Sequence, residues 1–320
     1  MKTVPASFPS SDPASSPTSA AAAAAKTGRA AKTSTTTTAA TSTAATATRE
    51  RRQRVQSAQT GMAVLKGLAR LGGRASLTGL AAYVGESPAK VHRYLVSLIE
   101  EGLVTQDALT QQYRLGPEAM MIGAAAMRQA DPVRIAEPAL VRLREQLEVT
   151  AFVAVMGNKG PTIIRFEEPG LPVTVNARVG SVMPLLWSST GRVFLGLLED
   201  KRVLALAEEE LAHADASLRA QLDAADPIGE LRRCVQAMRC ASVKDTNLKG
   251  ISAVSAPLFD HAGKVCAVLT ALGATGGFDA SPDGPIGEAL RREAAAASAL
   301  LGYLDAATAH TPPATVAGKR

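Results

Sequence analysis

Residues 75–104, Ala-Ser-Leu-Thr-Gly-Leu-Ala-Ala-Tyr-Val-Gly-Glu-Ser-Pro-Ala-Lys-Val-His-Arg-Tyr-Leu-Val-Ser-Leu-Ile-Glu-Glu-Gly-Leu-Val, read as two short helices joined by a tight turn. Leu77, Leu80 and Ala81 share an apolar face on the first helix. Gly85 ends it, because glycine takes the left-handed C-cap without strain. Ser87 can cap the second helix, and Pro88 fits its first position, where a missing N–H costs nothing. Val91, Leu95 and Leu98 recur at i, i+4 and i+7, so they form the buried stripe of that helix. The opposite face carries Lys90, Arg93, Tyr94 and Ser97. An apolar back and a basic, hydrogen-bonding front, braced by another helix, are what reading a DNA major groove requires. The candidate DNA contacts are Ser87, Ala89, Lys90, Arg93, Tyr94 and Ser97. On spacing alone, a helical hairpin in any α domain fits equally well.

The flanking residues favour DNA. Gly102 closes the second helix, and two β-prone runs within 103–116 surround a polar centre, as in the hairpin "wing" of a winged helix. Upstream, Ala58, Met62, Leu65, Leu68 and Ala69 fall on one helical face and supply a third helix. Charge follows the same division. The chain is +6 overall, yet residues 1–117 carry about +8, leaving about −2 for the remainder. A basic excess on the helix-pair segment suits phosphate binding. Aromatic residues make up only 3% of the chain, which argues against binding single strands by base stacking.

Residues 1–54 are biased towards Ala, Thr, Ser and Pro and cannot bury enough apolar surface to fold, so they are expected to be disordered. The basic arm Arg49–Arg54 ends this tail and suits either phosphate contact or plain solvation. The run Ala20–Ala25 is too short for a secretory signal, and its basic residues follow it. The Ser, Thr and Arg content suits a transit peptide, but Asp12 and the lack of amphipathic periodicity argue against one; an over-extended gene start would also account for the tail. No apolar run reaches the ~18 residues that a membrane helix needs, so a cytoplasmic, nucleoid-associated protein is expected. Cys234, Cys240 and Cys266 lack the spacing of a zinc site and suit a reducing compartment. The four histidines are scattered, and no phosphate-binding loop, dinucleotide fingerprint or nucleophile elbow occurs. No cofactor, metal or catalytic residue is expected.

Beyond residue 117 the pattern changes. Pro117–Ala130 reads as a Met- and Ala-rich helix broken by Asp131-Pro132, within a linker over 118–137. Leu140, Leu143 and Leu147 mark another helix. Phe152–Val155 and Thr162–Phe166 flank Gly157-Asn-Lys-Gly160, a hairpin signature. A third strand is expected over Val173–Val179, and helices over Ser188–Leu198, around Leu204, in 215–224 and over Pro227–Arg239. Two long strands, Gly250–Phe259 and Val265–Leu272, precede a helix over Pro285–Asp305. Hairpins with helices segregated to one side imply an α+β domain over 138–305 with an antiparallel sheet. Residues 306–320 read as a flexible tail.

The chain resembles the IclR family of bacterial transcription regulators. The resemblance covers residues 55 to about 304 and rests on motifs in order. These are the helix pair with Val91–Leu95, then Gly102–Val104, Tyr113–Gly116, Met183-Pro-Leu-Leu-Trp-Ser-Ser-Thr-Gly-Arg192, and Gly250–Asp260 followed by Gly263. It implies an N-terminal winged helix-turn-helix, a linker helix and a C-terminal effector-binding domain of PAS/GAF-like shape. It also implies dimers or tetramers on palindromic operators controlling catabolic genes, with small organic acids or aromatic metabolites as effectors.

Carried over position by position, the resemblance assigns a carboxylate to backbone amides at Ser189 and Thr190. Helix N-termini offer free N–H groups and the positive end of a dipole, which fits. The Ser188 and Ser189 hydroxyls add donors; plain N-capping is the simpler role for them. The resemblance adds Ala253, Thr270 and Leu272 to the pocket, with Asp245 as the nearest polar candidate from the preceding loop. Ala253 and Leu272 stand where relatives that bind small acids are polar, and Trp187 replaces a small residue. The pocket is therefore expected to be more apolar. Arg192 stands where the family usually has Lys. An enzyme built from Asp245, Ser255 and His261 lacks any activating motif, and the large non-basic second half argues against a purely architectural DNA-binding protein.

Overall fold

The protein is described from a computed structural model covering residues 55–170 and 177–304. Helix α1 (Gln56–Arg70) leads through the short strand β1 (Arg74–Ala75) to α2 (Leu77–Val84) and α3 (Pro88–Glu100). Strands β2 (Val104–Gln106) and β3 (Tyr113–Leu115) then form the wing, with β1 added along β3. The turn between α2 and α3 uses the predicted devices. Gly85 is left-handed at φ +74°, and its N–H bonds the Ala81 carbonyl. The Ser87 hydroxyl accepts the Lys90 N–H, with Pro88 in the first turn. Val64, Leu68, Leu80, Val91, Leu95 and Val104 are all fully buried together.

One face was misread from sequence. On α1 the buried residues are Gly61, Val64, Gly67 and Leu68, whereas Met62 is 45% exposed and Ala58 and Ala69 face solvent. The glycines explain the rotation. A Cβ on Gly67 would lie 3.0 Å from Val84, so α1 and α2 approach through residues that a search for apolar side chains passes over.

Helix α4 (Pro117–Gln129) buries none of its residues. Asp131 caps α5 (Pro132–Leu147) by accepting the Val133 and Arg134 amides. The second half is built on an antiparallel five-stranded sheet. Its strands are β4 (Thr150–Gly157), β5 (Gly160–Glu167), β6 (Ala241–Lys244), β7 (Ile251–Phe259) and β8 (Val265–Ala274), in the order β5-β4-β8-β7-β6. Between β5 and β6 the chain forms α6 (Ser189–Leu197), α7 (Lys201–His213), α8 (Ala216–Arg219) and α9 (Pro227–Met238). Helix α10 (Pro285–Leu300) follows β8.

Alternation along the strands sorts this core into two faces. Val153, Val254, Leu258 and Leu269 pack with Leu140 of α5 and Leu290 of α10. Phe152, Ala154, Ala253, Val268 and Leu272 pack with Val193 and Phe194 of α6 and Val235 of α9. Helices thus cover both faces, not the one side expected, because both parities of β7 and β8 are apolar. Arg142 of α5 clamps the buried Glu293 of α10 at 2.7 Å. Strand β6 was not anticipated. The strand expected over Val173–Val179 lies outside the described residues for 173–176, and Ala177, Arg178 and Val179 are not in a strand. The tails 1–54 and 305–320 also lie outside the described residues.

Candidate functional site

The register of the sheet assembles a site on the α6 face. Val243 pairs with Ala253 and Ala253 with Leu272, so three strands contribute one row of side chains. The adjacent row runs Ser255, Thr270 and Phe152, again in direct register. The N-terminus of α6 points at these rows. The segment leading into α6 folds tightly against it because Gly191 has no side chain: a Cβ there would sit 2.1 Å from the Pro184 carbonyl oxygen. Glu210 of α7 fixes the approach segment by accepting the Leu185 amide at 2.6 Å and the Leu186 amide at 3.1 Å. Burial raises the pKa of this carboxyl, and the two amides partly oppose the shift.

Between helix and sheet lies a cavity of about 40 Å³. Ser188, Ser189, Thr190 and Thr270 form its polar wall. Ala253, Leu272, Phe152, Val243, Ile251, Met183, Ala177 and Leu248 form the apolar remainder, with Asn247 at one side. The volume holds a water molecule or two; an organic ligand needs an expanded form.

Four hydroxyls form a chain behind the polar wall. Ser255 donates to Ser189 at 2.7 Å, Ser255 and Thr270 lie 2.8 Å apart, and Thr270 and Thr190 lie 2.8 Å apart. All four residues are 1% exposed or less. Each hydroxyl has one proton. Since Ser255 gives its proton to Ser189, Thr270 must donate to Ser255, and Thr190 to Thr270. The Ser189 proton alone is uncommitted. The Ser189 and Thr190 amides, first in α6, have no intrahelical acceptor. Two amides and one hydroxyl at the positive end of a helix form a donor set for an anionic oxygen.

Of the sequence-derived pocket residues, Ser188, Ser189, Thr190, Ala253, Thr270 and Leu272 line the cavity. The Ser188 hydroxyl, however, is spent on capping: it accepts the Gly191 amide at 2.9 Å and donates to the Pro184 carbonyl at 2.6 Å. Trp187 does not line the cavity. It packs with Leu185, Leu186, Leu195 and Val203 on the far side of α6. Asp245 does not line it either. At φ +56°, it ties the 245–250 loop by accepting the Gly250 amide at 2.7 Å and the Thr275 hydroxyl at 2.8 Å. Phe152, Val243, Asn247, Leu248, Ile251, Met183 and Ala177 were not singled out from sequence. For Phe152 the signal was present, since it shares the parity of Ala154 on the strand beside Thr270.

On α3, Arg93 is exposed and makes no hydrogen bond or ion pair among the described residues, as do the exposed side chains of Ala89 and Ser97. Lys90 is engaged with Glu86 at 2.7 Å. Tyr94 is half-buried against the helical core, and His92 meets the Tyr113 hydroxyl at 3.3 Å. Ser87 acts as the helix cap. Among the described residues, no group of three or more His, Cys, Asp or Glu side chains could hold a metal, and no helix is long and apolar enough to cross a membrane.

Two family models match the chain. Residues 57–108 match the IclR helix-turn-helix domain, and residues 124–299 match the bacterial transcriptional regulator IclR C-terminal domain. The chain is 26% identical to the acetate operon repressor of Salmonella typhimurium over 184 residues, 56% of this chain and 67% of that protein. It is 30% identical to the Pca regulon regulatory protein of Pseudomonas putida over 185 residues, 57% of this chain and 61% of that relative's length. The crystal structure of Pseudomonas aeruginosa HmgR superposes with a TM-score of 0.70 at 41% identity, covering 78% of this chain and 99% of that one.

Proposed function

Because this chain belongs to the IclR family of bacterial transcriptional regulators, we propose that it binds a palindromic operator through α3 and answers to a carboxylate with an apolar or aromatic body. It is a ligand-responsive DNA-binding regulator, not an enzyme. The observation that carries the effector class is the donor set at the start of α6, two amides and the free Ser189 proton, facing a cavity whose other walls are apolar. A carboxylate uses the donors, and Phe152, Ala253 and Leu272 accept the body. A small, wholly polar acid would leave those walls unsatisfied. The relatives named for an acetate operon and the Pca regulon support control of catabolic genes, and the former favours repression.

Self-association completes the reading. A single winged helix presents few phosphate contacts, and two-fold symmetry matches a palindrome. Helix α4 presents Met120 (77% exposed), Met121, Ile122 and Met127 to solvent, which suits burial against a second copy. We assign residues 55–117 to DNA binding and 138–305 to the effector, with the protein acting in the cytoplasm. The test is a gel shift on the upstream intergenic DNA with and without aromatic and aliphatic carboxylates, joined to calorimetry. Thr190→Pro deletes one amide, together with the hydroxyl that meets Thr270, and should abolish the response while effector-free operator binding persists. Ser189→Ala keeps the amide and should weaken the response only partly. Normal ligand affinity in folded Thr190→Pro would place the anion elsewhere.

A further inference from the structure

Helix α6 carries a cation that pairs with no carboxylate among the described residues and has only the Cys234 thiol group opposing the effect of burial. Arg192 is half-buried, and burial pulls its guanidinium below the usual arginine pKa with no carboxylate to offset it. Its Nε donates to the Leu186 carbonyl at 2.8 Å and its Nη1 weakly to the Ser242 carbonyl at 3.4 Å. Nη2 bonds nothing among the described residues, although a guanidinium has five N–H groups to place. Partly desolvating a charge is unfavourable unless an opposite charge meets it.

Arg192 lines a cleft of about 370 Å³ at the outer edge of β6. Lys244 lines it too, exposed and in no ion pair among the described residues. The Ser242, Thr246 and Ser252 side chains make the rest of this wall polar. Asp279 is the acidic lining residue. It accepts the Ser281 amide at 2.9 Å and pairs with neither cation, so the lining keeps a net positive charge. This cleft is separate from the cavity at Thr190, although Val243 borders both.

We propose that the cleft is a second ligand site, binding a compact oxyanion, carboxylate or phosphate, between Arg192 and Lys244. The planar fork of Arg192 suits two oxygens of one ligand, and Lys244 adds a mobile point charge. The site reports on itself. Arg192 holds the Leu186 carbonyl, and Thr246 of the cleft donates to the Trp187 carbonyl at 2.6 Å. Trp187 is the chain's single tryptophan and is buried, so an anion that reorders Arg192 or Thr246 alters its environment.

The experiment follows Trp187 fluorescence of the full chain, without DNA or effector, during titration with sodium phosphate and separately with sodium acetate. Sodium chloride holds ionic strength constant. A saturable change with either anion is expected, and the anion that produces it identifies the source. Lys244→Ala alters an exposed side chain and should leave the fold intact while raising the half-saturation concentration about tenfold. Arg192→Lys keeps the charge, loses the fork and should raise it by at least as much. Absence of a saturable change with both anions, an equal change with chloride, or a half-saturation unaltered in either variant would overturn the assignment. The shifts in Lys244→Ala and Arg192→Lys separate this site from a carboxylate held at Thr190, because neither side chain lines that cavity, and no readout depends on operator binding.

Discussion

Thr190 and Thr270 stand 80 residues apart in the chain, and their hydroxyl oxygens meet at 2.8 Å in the core. The contact joins the start of α6 to the middle of β8. It is the point at which a ligand drawn to the helix end would press on the sheet. Removing one hydroxyl leaves the other, or Ser255, buried without its partner. Thr190→Val and Thr270→Val are each expected to lower unfolding free energy by ~1–3 kcal/mol. The double variant should lose less than the sum of the two, by ~0.5–1.5 kcal/mol. Urea denaturation of the four proteins measures this, and strict additivity would mean that the hydroxyls are not coupled.

Ala253→Leu tests the cavity by filling it. The residue is 8% exposed and lines a space of about 40 Å³. Three extra carbons would occupy that space and resist its expansion. Affinity for any carboxylate bound there should fall about tenfold or more, which is ~1.4 kcal/mol. Effector-free operator binding should be retained, and calorimetry beside a gel shift separates the two quantities. Unchanged carboxylate affinity would exclude this cavity as the effector site.

Arg93→Ala tests the reading helix. If the guanidinium meets a base edge, the loss should be ~1–3 kcal/mol and confined to certain operator positions. If it meets phosphate, binding should weaken on every sequence and the salt slope should shrink by about one. Lys90→Ala should cost less than Arg93→Ala, because Lys90 must first give up Glu86. Fluorescence anisotropy over a salt series distinguishes the outcomes, and an Arg93→Ala protein with wild-type affinity and slope would remove α3 from the interface.

Cys240 and Cys266 make the fold sensitive to alkali. Burial pushes both thiols up to about 11, from 9.0 in the exposed state. The unfolded chain therefore releases these protons first as pH rises. The stabilisation is complete below about pH 9 and is lost progressively towards 11. Thermal melts from pH 8 to 11 should show a falling midpoint, with a shallower fall in Cys240→Ala and Cys266→Ala. Parallel slopes in all three proteins would show that the thiols do not contribute.

The local devices were legible because their causes are local. A glycine that must be left-handed, a serine followed by proline and a Gly-Asn-Lys-Gly turn each act within a few residues. Gly85, Ser87 and Gly157–Gly160 accordingly hold the predicted positions. Strand β6 was missed because Ala-Ser-Val-Lys is too short to show a period. It exists because β7 offers an unpaired edge. The buried face of α1 was misassigned because Gly61 and Gly67 contribute closeness of approach, which hydropathy does not register.

The same division runs through the site. Sequence by itself determined a capped helix starting at Ser189, alternation on two long strands and a basic helix with an exposed Arg93. These follow from backbone sterics and side-chain periodicity, which act over one or two turns. Only the tertiary structure decided which candidates meet. Trp187 adjoins Ser188 in sequence, yet the turn into α6 sends its ring to the opposite side of the helix. Asp245 is drawn into a loop brace by Gly250 and Thr275. Ser255, weighed from sequence only as a nucleophile beside Asp245 and His261, becomes the centre of a hydroxyl chain because antiparallel register sets it opposite Thr270. Register and helix docking are long-range, settled by burying the most apolar surface with every buried hydroxyl paired, and no window of sequence contains both partners.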